Sequence, residues 1–286
     1  MSELLADLRA MAFHGAPIDQ RTLARGASGD PEARWLTGVT LGAQGRYAAA
    51  YALLEPMRTA ADTVLASLAC STIGSHRRQL GGHGEARRWD STALKLAAQV
   101  DADEAMADAL LGLAADALAV GRLAESTSLV SRAESRARSQ WRTEIRHGWV
   151  TAELALASGR AADAVAPAEA AARLSREHLA ARHAAKSDIV LAVALTTAGD
   201  PDGRARRLAV DALDTATTAG WYSLCWPAAL AAADATPHDG GEEPAKADLR
   251  ACAAAHLHRV LRAADPVARR VAERSPWVPK LDKRPD

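Results

Sequence analysis

The sequence predicts an all-α chain built as a stack of antiparallel helix hairpins, and three observations carry that expectation. Of its 286 residues, 49% are hydrophobic but only 4% aromatic, and alanine supplies about one in four. Ala, Leu, Arg and Glu are strong helix formers, whereas strands draw on β-branched and aromatic residues. Glycines recur at Gly45, Gly81, Gly121, Gly159 and Gly199, each between two helical patterns, with a period of roughly 36 to 40 residues. No long Ser/Gly/Pro linker divides the first 235 residues, so one extended array is expected rather than two globules.

In chain order, residues 1–30 read as N-terminal capping helices, a first helix followed by a short second one starting near Pro17. Five hairpins then fill residues 31–219. The first pairs Pro31–Gln44 with Arg46–Met57, where Ala50, Leu53 and Leu54 share one apolar face. The second runs from Ala60 to Leu80, turns through Gly81-Gly82-His83-Gly84 and continues to about Val100. The third covers Ala102–Val120, Gly121-Arg122 and a helix to about Arg138. The fourth pairs Trp141–Ser158 with Ala161–Leu174, and the fifth pairs Leu179–Ala198 with Gly203–Ala219. Glycine suits these turns because a left-handed backbone costs it little, and the unit repeats because one hairpin cannot bury its own apolar face.

Residues 220–275 read as C-terminal capping helices: 221–235, then Ala245–Ala264 and Pro266–Ser275, with an exposed loop at Pro237–Pro244. Residues 276–286 form an extended tail, since Pro276 and Pro279 interrupt any helix there. That tail holds Trp277 with Lys280, Lys283 and Arg284, and an exposed tryptophan is expected to dock.

Over about residues 31–219 the chain resembles the tetratricopeptide repeats, whose unit has a small residue early in the first helix, a glycine at the turn and an alanine soon after. Gly38, Gly45, Tyr47 and Ala50 carry the likeness in the first unit, and Gly74, Gly81, Ala86, Ala93 and Leu94 in the second. Ala114, Gly121 and Ala133 follow in the third, Ala152, Gly159, Ala164 and Ala171 in the fourth, and Ala192, Gly199 and Ala212 in the fifth. The resemblance implies a right-handed α-solenoid, a TPR-like superhelix whose first helices line a concave groove. An Ala- and Arg-rich composition fits a GC-rich bacterial genome.

Carried by the repeat register, the groove stripe reads Trp35 and Val39, then Ser71, Ser75, Arg78 and Gln79. Asp108, Leu111 and Ala115 follow, then Arg146, Trp149 and Glu153, then Lys186, Ile189 and Val193. Trp35, Ser75, Arg78, Gln79, Asp108, Arg146, Trp149, Glu153 and Lys186 are the expected partner-binding residues. The resemblance implies that Arg78, Arg146 and Lys186 clamp a carboxylate at a peptide end. On the competing reading, Trp35 and Trp149 pack between neighbouring helices and the charges are solvated. Basic clusters at His76 to Arg88 and at Arg132 to His147 lie near Trp89 and Trp141, but Glu85, Glu134 and Glu144 interleave, so ion pairing is expected there before nucleic-acid binding.

Thirty-five basic and 35 acidic residues leave a formal charge of zero, which gives no support to nucleic-acid or acidic-membrane binding. Cys70, Cys225 and Cys252 suit free thiols in a reducing cytoplasm. The segment Met1–Gly15 is broken by Glu3, Asp7 and Arg9, unlike a signal peptide, and the run Ile189–Ala194 is far shorter than the ~20 apolar residues of a membrane helix.

Catalytic and metal motifs fail on spacing. His178 and His183 are five apart and His256 and His258 two apart, so no metal is expected. Gly81-Gly82-His83-Gly84 follows a helix and lacks a phosphate-loop lysine; Asp200-Pro201-Asp202-Gly203 continues into Arg204-Ala205-Arg206 and reads as a helix cap, not a calcium loop. Cys70 and His76, six apart on one helix, point away from each other. The expectation is a cytoplasmic, non-enzymatic scaffold without cofactor, binding a protein or peptide segment with an acidic or carboxylate end and able to form a homodimer. The alternative is a ligand- or peptide-sensing regulatory module of a bacterial signalling or transcription system, with an enzyme accessory subunit behind it.

Overall fold

A computed structural model of the chain describes residues 2–200, 202–236 and 243–279, all in helices, turns and connecting segments. Of the expected loop at Pro237–Pro244, residues 237–242 lie outside the described residues, while 243 and 244 already belong to a helix; the tail from residue 280, with Lys280, Lys283 and Arg284, also lies outside them. Two short N-terminal helices, α1 (Glu3–Phe13) and α2 (Gln20–Ala27), precede a run of hairpins. These are α3 (Pro31–Ala43) with α4 (Tyr47–Leu54), α5 (Thr63–Gln79) with α6 (His83–Gln99), and α7 (Asp103–Ala119) with α8 (Leu123–Ala137). Then come α9 (Trp141–Ala157) with α10 (Ala161–Glu177), α11 (Ala181–Ala198) with α12 (Arg204–Thr218), and α13 (Tyr222–Asp234) with α14 (Glu243–Arg262). The last helix is α15 (Pro266–Arg274). From α1 to α14 each helix packs on its chain neighbours, so the molecule is an α-solenoid of helix hairpins. Among the described residues no helix is long and apolar enough to cross a membrane.

Local chemistry sets the boundaries. Asp30 accepts the Ala33 amide at 2.8 Å ahead of Pro31, which needs no donor in the first turn, and Asp62 accepts that of Leu65 at 3.0 Å. Asp200 accepts the Ala205 amide at 2.7 Å, the expected cap, although α12 starts one residue later than expected, at Arg204. After Leu54 the chain tightens into a 3-10 turn, Glu55–Thr59, at Pro56. The turn glycines Gly45, Gly81, Gly121 and Gly159 sit at φ between 72° and 75°, and behind each one the same backbone bond closes the turn, as in Gly82 N–H to Arg77 O at 2.9 Å.

Hairpins are tied across the repeat period. Trp35 Nε1 donates to Thr72 Oγ1 at 3.1 Å, 37 residues on, and Trp149 Nε1 donates to Ser187 Oγ at 2.8 Å, 38 residues on. Arg78 reaches Asp116, and Arg142 reaches Glu104, over the same 38 residues. Helix α6 places Asp90 between α5 and α7, where a methyl group on Gly112 would come within 2.5 Å of its carboxyl. Only glycine leaves room for a buried carboxylate at that crossing.

The array bends until its end meets its beginning. Helix α13 packs on α3, and the Ala48 amide donates to Ala263 O at 2.9 Å. Arg77 pairs with Asp265 across 188 residues, and Tyr47, Leu80, Leu257, Val260 and Val278 share one buried cluster. On the opposite rim Gly15 lies against Ala181 and Trp221.

The tail docks, but not through the residue expected to. Val278 is 5% exposed and Ser275 Oγ donates to Gly81 O at 3.3 Å, whereas Trp277 stays 56% exposed with its ring edge-on to His83. The hydroxyl and the valine fit the Gly81 turn, and the larger indole is left outside it. Truncation after Arg274 is therefore expected to cost about 2 kcal/mol, the value of one buried valine and a hydrogen bond. Urea denaturation of full-length and truncated chains measures it, and equal midpoints would remove the tail from the fold's support.

Candidate functional site

The first helices of the hairpins converge on a cavity of about 240 Å³. Its lining comes from α1, α3, α5, α7, α9, α11 and α13 alone, one helix from each level of the array. Phe13 stands at one end. Trp35 and Val39 follow from α3, then Ser71, Thr72, Ser75, His76, Arg78 and Gln79 from α5, and Asp108, Leu111 and Ala115 from α7. Helix α9 supplies Arg142, Arg146, Trp149, Val150 and Glu153; α11 supplies Arg182, His183 and Lys186; and α13 closes the wall with Ser223, Leu224, Trp226 and Pro227. Pro227 has no N–H to give to the Ser223 carbonyl, so α13 crosses the cavity with one carbonyl released from its own ladder.

All nine expected groove residues, Trp35, Ser75, Arg78, Gln79, Asp108, Arg146, Trp149, Glu153 and Lys186, border this one cavity. Ile189 and Val193, placed on the same stripe by register, do not: Ile189 is buried in the α11–α13 core, and Val193 is exposed. Sequence reasoning missed Phe13, Arg182, His183 and the whole of α13, and it put His76 and Arg142 in surface basic clusters. Arg182 was within reach, since it lies one helical turn before Lys186 on the same face.

The three cations expected to stand free for a carboxylate are engaged by the protein itself. Arg78 donates through Nε to Asp116 at 2.9 Å and through Nη2 to Asp90 and to the Gly112 carbonyl. Arg146 and Arg142 both grip Asp108, and Arg142 also holds Glu104 at 2.9 Å. Lys186 lies 3.6 Å from Glu153. The basic clusters pair in the same way, as Arg87 with Glu125 and Arg138 with Glu134. Trp35 and Trp149 spend their N–H groups on the next hairpin, so each ties neighbouring repeats together while bordering the cavity.

Burial governs the ionisable groups. It pushes Asp90 up to about 8 against the pull of Arg78, with Asp116 adding to the push. Burial would also raise Asp108, but Arg142 and Arg146 outweigh it and hold that carboxyl below the usual range. His76 is driven down to about 3 by burial and by the Arg182 and Arg77 charges, and His183 well below its ordinary value by burial and the same Arg182. Both rings are neutral at pH 7, His76 stacked on Tyr47 and His183 on Trp149. Cys70 is buried and its thiol is raised to about 12, which removes it as a nucleophile. A second hollow of about 370 Å³ shares Phe13, Trp35 and Arg142 with the first, and the Arg142 guanidinium lies 5.9 Å from the Phe13 ring and 5.8 Å from that of Trp35. Among the described residues no group of three or more His, Cys, Asp or Glu side chains is placed to hold a metal ion.

Fold and cavity together define a TPR-like helical repeat whose ends close over a central chamber. Among solved structures, Rap protein complexed with competence and sporulation factor is similar, with a TM-score of 0.66 at 14% identity over 94% of this chain and 82% of that one. At this identity the likeness is one of fold. No protein-family model matches the sequence, and no curated protein matches it.

Proposed function

We propose that this protein is a non-enzymatic binding module that takes a short peptide segment into its central cavity. The observation that carries the reading is the convergence of seven helices on one chamber whose wall mixes three tryptophans with fixed charges. The fold's likeness to Rap protein, solved in complex with competence and sporulation factor, supports binding as its use. Binding is favoured over catalysis by the state of the titratable groups. Asp108 and Glu153 are ion-paired, and His76 and His183 are neutral without a carboxylate to orient them. The three free thiols suit a reducing cytoplasm.

A second reading, a ligand-sensing regulatory module, is favoured by ring closure. A guest touching both α3 and α13 bridges the two parts of the array that meet on closure, so its binding energy would bias closure. The test is affinity selection from a library of short peptides, repeated with Ala115→Trp, which fills the chamber. Peptides retained by the native chain and lost by the variant are the expected result. Equal retention by both places binding elsewhere and ends the cavity reading.

A further inference from the structure

Arg182 differs from every other cation on the cavity wall. Arg78, Arg142, Arg146 and Lys186 each meet a carboxylate of the protein. Arg182, among the described residues, meets none, and its Nε finds no hydrogen-bond acceptor. Its charge is felt by Tyr47, His76 and His183, all uncharged at neutral pH, and burial with only Tyr47 to oppose it disfavours its protonated form. Arg182 is half-buried with its Nε fully enclosed, and a guanidinium held at a partly dry wall without an anion is costly, a cost that an apolar side chain of similar length would reduce.

Other unsatisfied groups border the cavity too. Ser71 Oγ, His76 Nδ1, His183 Nδ1 and Trp226 Nε1 are also buried without a partner, and all four belong to residues that border the same cavity. Buried polar groups without partners are rare in folded proteins, so several around one chamber point to a guest that completes them.

We propose that Arg182 binds a single carboxylate of an organic guest. The inference rests on the reading that the cavity holds a guest, and it names that guest's chemistry. One unpaired guanidinium matches one negative charge and offers the planar fork that a carboxylate fits. A phosphate dianion would leave its second charge unpaired, because the neighbouring rings are neutral. The remaining wall, with Val39, Leu111, Leu224 and Trp149, takes an apolar or aromatic body. A peptide terminus and a free organic acid share this chemistry.

The experiment titrates native protein, Arg182→Met and Ala115→Trp with acetate, benzoate, benzamide and phenyl phosphate at pH 7 and constant ionic strength. Native protein is expected to bind benzoate more tightly than benzamide or phenyl phosphate. Arg182→Met is expected to lose about 100-fold in benzoate affinity, to leave benzamide unchanged and to melt no lower than the native chain. Competition by a short peptide with a free C-terminus but not by its amide assigns the carboxylate to a chain end, and competition by neither supports a free acid.

Failure to bind acetate or benzoate, equal affinity for benzoate and benzamide, or undiminished benzoate binding by Arg182→Met overturns the assignment. So does a marked fall in the melting temperature of Arg182→Met, which would make the arginine structural. If benzamide binding is lost in Ala115→Trp while Arg182→Met has no effect, the cavity reading stands and only the anion assignment falls. Benzamide or benzoate binding that survives in Ala115→Trp removes both.

Discussion

Arg78→Ala is expected to destabilise the fold by about 3–5 kcal/mol, a large share of the roughly 5–15 kcal/mol that keeps a typical domain folded. The guanidinium stands between two carboxylates, Asp90 and Asp116, each only 1% exposed, and it also donates to the Gly112 carbonyl. Without it, Asp90, Asp116 and the Gly112 carbonyl lose their shared donor, and buried oxygens at the crossing of α5, α6 and α7 are left without a partner. Gly112 leaves Asp90 no space to rotate away. Arg78→Lys should recover part of the loss, because one ammonium group reaches fewer of the three acceptors. Urea denaturation of the two variants and the native chain decides it. A loss below about 1 kcal/mol in Arg78→Ala would show that the network does not hold these hairpins together.

The second large effect is acid lability from the buried histidines. His76 stays neutral in the folded chain down to about pH 3, whereas in the unfolded chain it takes up a proton near 6.5. The unfolded state therefore binds more protons below pH 6.5, and stability falls as the pH falls, by about 1.4 kcal/mol per pH unit for each such ring. His183, lowered in the same direction, adds to the loss. Asp90 acts the other way: its raised value gives stability that is fully present below its unfolded value and lost as the pH climbs to about 8. The native curve is the sum of these opposed slopes, and single variants separate them. His76→Gln is expected to shrink the stability difference between pH 7 and pH 5 by about 2 kcal/mol. Asp90→Asn is expected to steepen the rise of stability with pH. Denaturation at the two pH values reads both, and a His76→Gln curve parallel to the native one would contradict the assignment.

Much of the fold was legible because its period is written twice, once in the turn glycines and again in the small residues that let first helices approach. Gly45, Gly81, Gly121 and Gly159 mark the left-handed turns, and Gly38 and Gly74 mark close crossings; Gly112 makes a third crossing that the repeat pattern, read through Ala114, did not reveal. The same register placed nine residues of the cavity wall on one stripe. The sequence could not show which cations were already paired, because the partners sit 38 residues away on another helix, as Asp108 does for Arg146. Closure was also hidden. The contacts that bring α13 to α15 back onto the first hairpins join residues nearly 200 positions apart, such as Arg77 with Asp265, and no local pattern encodes them.

The measurement that tests the central claim most directly is a crystal structure of the protein with a peptide selected by it. The account predicts the peptide in the chamber between α5, α9, α11 and α13, with its carboxylate on Arg182. A peptide lying on the outer helices α6, α8 and α10, with the chamber unchanged, would contradict it.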